Sequence, residues 1–245
     1  MQAFDHSQPR QRPGCALAAL AALVLTFAVQ PASAGGEHRV GRLPPHPTLF
    51  TARIDHRYLP LVPGTTFALL ERLGRHVSEI ELAVLDSTRV VDGVTCRVVR
   101  ERVREKGEQT QENHLFYAQD ERGNVWVFGE DSREFVGRGH VDTDGTWEAG
   151  IDGAQAGIVM PADVANLSPI RGGWLAGAIE DMSQIIAVVD SVSVPAGAFV
   201  QCLKQKEWSM LESGTDKKWY APGIGLVRAV SAAKEITVLL SVAKP

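Results

Sequence analysis

Cysteine is scarce in this chain: three in 245 residues, with no CxxC pair. Dithiol redox chemistry and a cysteine-zinc site both need paired ligands at short spacing, so both are excluded. There is no GxSxG elbow and no HExxH helix, which removes the sequence basis for a serine-elbow hydrolase or a zinc protease. His38, His46, His56, His76, His114 and His140 show no i,i+4 pairing. Positive charge is also short. Lys and Arg total 25 against 29 Asp and Glu, a formal net charge of −4, whereas a nucleic-acid partner requires a basic stripe. Aromatics make up only 7% of residues, so two independent small domains would each have a thin core.

Long apolar runs are missing too. The longest, Ala16 to Val29, is about 14 residues, short of the roughly 20 that span a bilayer. Its flanks identify it as an export leader. Arg10 and Arg12 precede it, Pro31 breaks it, and Ala32-Ser33-Ala34 supplies a small-x-small cleavage site. Cys15 lies before the run, where a lipid-attachment cysteine would follow it. The expectation is a signal peptide over 1–34, a Gly-, Pro- and His-rich lead-in over 35–50, and a secreted or periplasmic protein without a transmembrane segment after cleavage.

What is present is an echo. LAVLDS from Leu82 returns as IAVVDS from Ile186. The offset continues through Val90 with Val194 and Gly93 with Gly197. A cysteine follows in each copy (Cys96, Cys202), then a Tyr-Ala step (Tyr117, Tyr220) and a Gly-x-Val (Gly123, Gly225). A repeat of this kind marks two similar supersecondary modules. In the first hexamer Leu82, Val84 and Asp86 alternate with Ala83, Leu85 and Ser87, β-branched residues continue through Val90 and Val91, and ten or more short strand-like runs are separated by Gly- and Pro-rich turns. The expected fold is all-β, with at most one short helix. Two pseudo-repeated antiparallel modules, about 54–150 and 157–242, form a half-barrel or clam within a single domain over 51–245. Trp174 to Ser183 fits either a helix or a strand.

YLPLVPGTTF from Tyr58, QDERGNVWVFGE from Gln119, GIVMPAD from Gly157 and KWYAPGIGLV from Lys218 resemble motifs in a family of secreted bacterial β-rich proteins of unassigned function. The likeness runs from about Ile54 to Val230. The stretch Ser168 to Gly173 departs from that family's Gly-then-aromatic opening of the second repeat. The general pattern also resembles, in architecture alone, the exported half-barrels that include lipoprotein carriers. The resemblance implies an exported β-protein and no catalytic residue.

Several constellations are candidates for chemistry. Cys96 and Cys202, at matching repeat positions in an exported chain, are a candidate disulfide; two separate buried thiols are the alternative. Asp142, Asp144 and Glu148 could donate oxygens to calcium, although His140 and Ile151 stand where an EF-hand loop has its first and last acids. Glu130 and Glu148 could form the acid and the nucleophile or base of a carboxylate hydrolase such as a glycosidase. His114, His140 and Met160 are a copper candidate. Trp126, Phe128, Trp174, Trp208 and Trp219 are either core or the lining of a concave ligand face. The favoured reading is a non-enzymatic binding protein of the envelope that holds a lipid-like or apolar small molecule or meets an envelope protein. A carboxylate-dependent hydrolase and a calcium-stabilised structural protein are the alternatives.

Overall fold

The computed structural model describes residues 44–137 and 139–245. The expected signal peptide, Cys15 and most of the lead-in lie outside the described residues. A 3-10 turn at Pro47–Leu49 is followed by strands throughout. These are β1 (Phe50–Thr51), β2 (Ile54–His56), β3 (Leu59–Leu61), β4 (Thr66–Leu73), β5 (His76–Val91), β6 (Val94–Glu105), β7 (Glu108–Asp120) and β8 (Val125–Phe135). After them come β9 (Val141–Asp142), β10 (Trp147–Glu148), β11 (Gly157–Met160), β12 (Ile170–Leu175), β13 (Ile179–Val194), β14 (Gly197–Ser209), β15 (Asp216–Ala221), β16 (Gly225–Val230) and β17 (Ile236–Ala243). The fold is all-β and antiparallel.

One sheet holds every strand except the β2–β3 hairpin. Its order is β10-β8-β7-β6-β5-β4-β17-β16-β15-β14-β13-β12, with β9 and β11 also on β8 and β1 on β7. The last strand pairs with β4, Leu239 opposite Leu69, so the two halves join along one ladder. The sheet curls without closing into a barrel. Its two ends approach where Gln155 and Trp174 form an isolated bridge. Gly157 and Gly172 allow this approach, since a Cβ on Gly157 would lie 1.7 Å from the Gly172 carbonyl oxygen.

Both copies of the repeated hexamer fall in sixteen-residue strands, β5 and β13. Each strand carries a register shift at the hexamer, between Val84 and Thr88 and between Ile185 and Ala187. Such bulges bend a strand and raise its twist, which is how a long strand wraps a curled sheet. Asp92 and Gly93, both at positive φ, make the tight turn from β5 into β6. Trp174 to Ser183 is not a helix. It is the end of β12, a turn, and the start of β13, with Trp174 opposite Glu180.

Alternation divides the core in two. Leu115, Tyr117, Val125 and Val127 face the concave side and join the main cluster with Leu69, Leu203 and Leu239. The residues between them, Phe116, Ala118, Trp126 and Phe128, form a second cluster with Val94 and Cys96 on the opposite face. The β2–β3 hairpin straps the concave side. Its Ile54, Tyr58, Leu59 and Leu61 are buried in the main cluster, and backbone and side-chain bonds tie it to Gly223, Gln201 and Pro161.

Candidate functional site

The main cluster does not fill the concave side. A cavity of about 140 Å³ remains towards the second half. Leu59, Val127, Val159 and Ala229 supply apolar wall; Asp181, Ser183, Gln205, Glu207, Lys218 and Tyr220 supply polar wall. The strand pattern explains why these six converge. Gln205 pairs with Lys218 and Glu207 with Asp216 across β14 and β15, while Ser183 lies opposite Glu207 on β13. Residues two apart on a strand share a face, so one set of alternate positions turns inward. Trp147 reaches the cavity from β10 because Gly173 has no side chain; a Cβ there would lie 2.7 Å from the indole ring.

The site is rich in carboxyl groups and low in solvent. Burial pushes the Asp181 carboxyl up to about 7, with Glu207 adding to the shift and Lys218 opposing it. The Lys218 ammonium is ion-paired with Glu207. Deeper in, Glu101 is fully buried and burial pushes it up to about 8, against the hydrogen bond that Asn113 donates to it. Burial raises Glu130 well above the carboxylate range, with Glu101 and Asp181 adding repulsion. Glu71 rises to about 7 through burial and through Glu235, although Thr237 donates to its Oε2. The repeat-equivalent phenols Tyr117 and Tyr220 are both buried and both held protonated, first by burial. At neutral pH much of this interior is therefore uncharged acid and phenol.

Four buried polar atoms of this interior have no protein partner: Trp147 Nε1, Ser183 Oγ, Gln205 Oε1 and the Tyr117 hydroxyl. Gln205 donates its amide to Val159 O, which leaves its carbonyl oxygen as an open acceptor. Trp147, Ser183 and Gln205 all border the cavity. An unpaired buried polar group costs about 1–3 kcal/mol, so three around one space call for a polar occupant.

The candidates read from sequence are placed differently. Trp126 and Phe128 sit in the outer cluster, edge-on to Phe50 at 5.8 and 5.1 Å, and Trp126 Nε1 donates to Asp120. Alternation along β8 turns them away from the concavity. Of the five proposed lining residues, Trp208 borders the cavity. Trp174 and Trp219 pack against cations, Arg171 for the first and Lys204 with Arg228 for the second. Glu130 and Glu148 do not face each other. Trp147 pairs with Glu130 and Glu148 with Gly129, so they point to opposite sides, and Glu148 binds Arg89.

Asp142, Asp144 and Glu148 are not gathered either. The Asp144 amide donates to Asp142 Oδ1 in a local turn. Among the described residues no group of three His, Cys, Asp or Glu is placed to hold a metal ion, and that includes His114 and His140. The expected disulfide is corrected: Cys96 and Cys202 are free and buried. Cys96 is the third residue of β6, opposite Arg89, whereas Cys202 is the sixth of β14, opposite Val189. The odd shift turns one thiol to the outer cluster and the other to the main core. Burial pushes Cys96 up to about 12 and raises Cys202, which makes both thiols unreactive.

Sequence reasoning missed Asp181, Ser183, Gln205, Glu207 and Lys218. A signal existed in Val99-x-Glu101-x-Val103 and Lys218-x-Tyr220, where a charged residue occupies a core-facing parity.

No protein-family model and no curated protein matches the chain. Among solved structures it is similar to a Parabacteroides distasonis chain described as a "putative lipoprotein", at 14% identity and a TM-score of 0.45, covering 77% of this chain and 99% of that one. Among the described residues no helix is long and apolar enough to cross a membrane.

Proposed function

We propose that this chain is an exported, non-enzymatic binding protein of the bacterial envelope that holds a compact amphiphile on its concave side. The observation that carries the reading is the cavity bordered by apolar wall on one side and by the open Ser183, Gln205 and Trp147 groups on the other. Its volume is about 140 Å³, close to an apolar cavity that holds one benzene. A whole acyl chain exceeds that space. A six-membered ring or the end of a longer ligand matches it, with a hydroxyl or amide on the polar wall. Export is supported by the leader pattern of Arg10, Arg12, Ala16 to Val29 and Ala32 to Ala34.

Native mass spectrometry of protein purified from its own envelope tests the reading, together with thermal unfolding in phenol. A retained organic mass is expected, as is stabilisation by phenol that the double variant Ser183→Ala/Gln205→Leu loses. A bare polypeptide mass combined with no phenol effect would refute it.

One observation favours a second reading, a carboxylate-dependent hydrolase. Asp181 and Glu207 border the same cavity, one raised to about 7 and the other paired with Lys218, which is the kind of environment that sets a general acid apart. Turnover of aryl glycosides that disappears in Asp181→Asn supports it; absence of turnover across such a panel removes it.

A further inference from the structure

We infer that the outer face of the second half of the sheet docks on the anionic surface of a lipid bilayer. Register defines this face. Lys204 on β14, Trp219 on β15 and Arg228 on β16 are direct cross-strand neighbours. Positions two apart add Lys206 and Lys217 to the same side, with Trp208 at the rim near the end of β14, where it also borders the cavity. Arg171 of β12 lies opposite Met182, which lies opposite Trp208. These residues alternate with Gln205, Glu207, Lys218 and Tyr220, which turn inward to the cavity.

Cations and indoles interleave across this face. Trp219 stands between Lys204 Nζ, 5.0 Å from its centroid, and Arg228 Cζ at 5.2 Å. Lys206 Nζ lies 4.8 Å over Trp208, and Arg171 Cζ 5.4 Å over Trp174. Among the described residues none of Arg171, Lys204, Lys206, Lys217 and Arg228 makes an ion pair. Among the described residues one carboxylate shares the face, Glu180 beside Trp174, and its Oε1 accepts the Gly177 amide. In a chain of net charge −4, this is a local inversion of sign.

The geometry selects the partner. Lys204 and Arg228, from the strands on either side of β15, both lie over the Trp219 ring, so a sugar ring or a nucleobase would have to displace a cation to stack there. Ring edges and ammonium groups remain, and these suit the headgroup layer, where indoles sit and cations meet phosphates. Exposed aliphatic side chains lie at the margin. Met210 and Leu211 follow Trp208, and Ile236 continues the face through Val230 opposite Lys217.

Co-sedimentation of the mature exported protein with vesicles tests this, using phosphatidylcholine alone and phosphatidylcholine mixed with phosphatidylglycerol. Pelleting is expected with the mixed vesicles and not with phosphatidylcholine alone, with release by high salt and a blue shift of indole emission. Lys204→Ala and Lys206→Ala should each lower the partition coefficient about fivefold. Lys217→Ala, at an exposed position, repeats the test where no packing is disturbed. Arg100→Ala, whose ion pair with Glu81 lies in the first half, should bind as the unaltered protein does. Equal pelleting with both vesicle types, or unchanged pelleting of the lysine variants, overturns the proposal. So does retention on a soluble anionic polysaccharide without any vesicle binding.

Discussion

Replacing Glu101 with Gln removes the most deeply buried carboxyl group among the described residues. Glu101 is 1% exposed and its carboxyl is raised to about 8 in the fold. In the unfolded chain it titrates near the ordinary 4.5. The folded state therefore holds this proton more tightly than the unfolded state does. Its contribution to stability is fully present below pH 4.5 and is lost as pH rises towards 8. At one pKa unit per 1.36 kcal/mol, the loss is about 1 kcal/mol at pH 5 and about 4 kcal/mol at pH 8. Gln keeps the acceptor that Asn113 Nδ2 uses at 3.1 Å and never ionises. Its new amide donor lacks a partner and costs on the order of 1–3 kcal/mol at every pH. The informative quantity is thus the slope with pH. Urea unfolding at a series of pH values from 5 to 8 should show the unaltered protein losing about 3 kcal/mol more than Glu101→Gln over that span. Glu71 and Asp181, both raised to about 7, lend both proteins a common residual slope of the same sign. Identical slopes for the two proteins would refute the buried, proton-holding role of Glu101.

Three further outcomes are expected. Asp120 accepts from the Arg122 and Asn124 amides, from Asn124 Nδ2 and from Trp126 Nε1, so Asp120→Ala should cost about 3–4 kcal/mol in urea unfolding, charge-assisted bonds being worth roughly 1.5–3 each and not additive. Gly157→Ala places a Cβ 1.7 Å from a backbone oxygen; the two ends of the sheet must then separate, and a loss of more than about 3 kcal/mol is expected by the same measurement. Thiol labelling with iodoacetamide should leave native protein unmodified, modify both Cys96 and Cys202 in urea, and show no dependence of stability on reductant, in keeping with two free buried thiols.

The strand content, the turns and the paired hexamers were legible in the sequence because they are local. Alternation over five or six residues, and Gly or Pro between runs, are properties of adjacent positions, and β5 and β13 follow from them. The leader pattern is local in the same way. Parity of facing was legible only up to the nearest turn or bulge. Val99, Glu101 and Val103 show which side of β6 is buried, but the face of Cys202 depends on where β14 leaves its turn: Val194 pairs with Gly197, and Cys202, sixth in its strand and opposite Val189, sits three places further along than Cys96 does in β6. For that reason the cysteines, which match in sequence, separate in the fold, while Tyr117 and Tyr220 do both enter the concave core. The closing of β17 on β4 and the strap of β2–β3 join residues far apart in the chain, and the approach of β12 to β11 brings the two ends of the sheet together. Together these contacts decide which tryptophans are interior, which stand among cations outside, and where the cavity beside Asp181 and Lys218 is left. Side-chain alternation is set by neighbours one or two positions away; enclosure is set by how much a whole sheet twists and bends, and that sum exists only in the folded molecule.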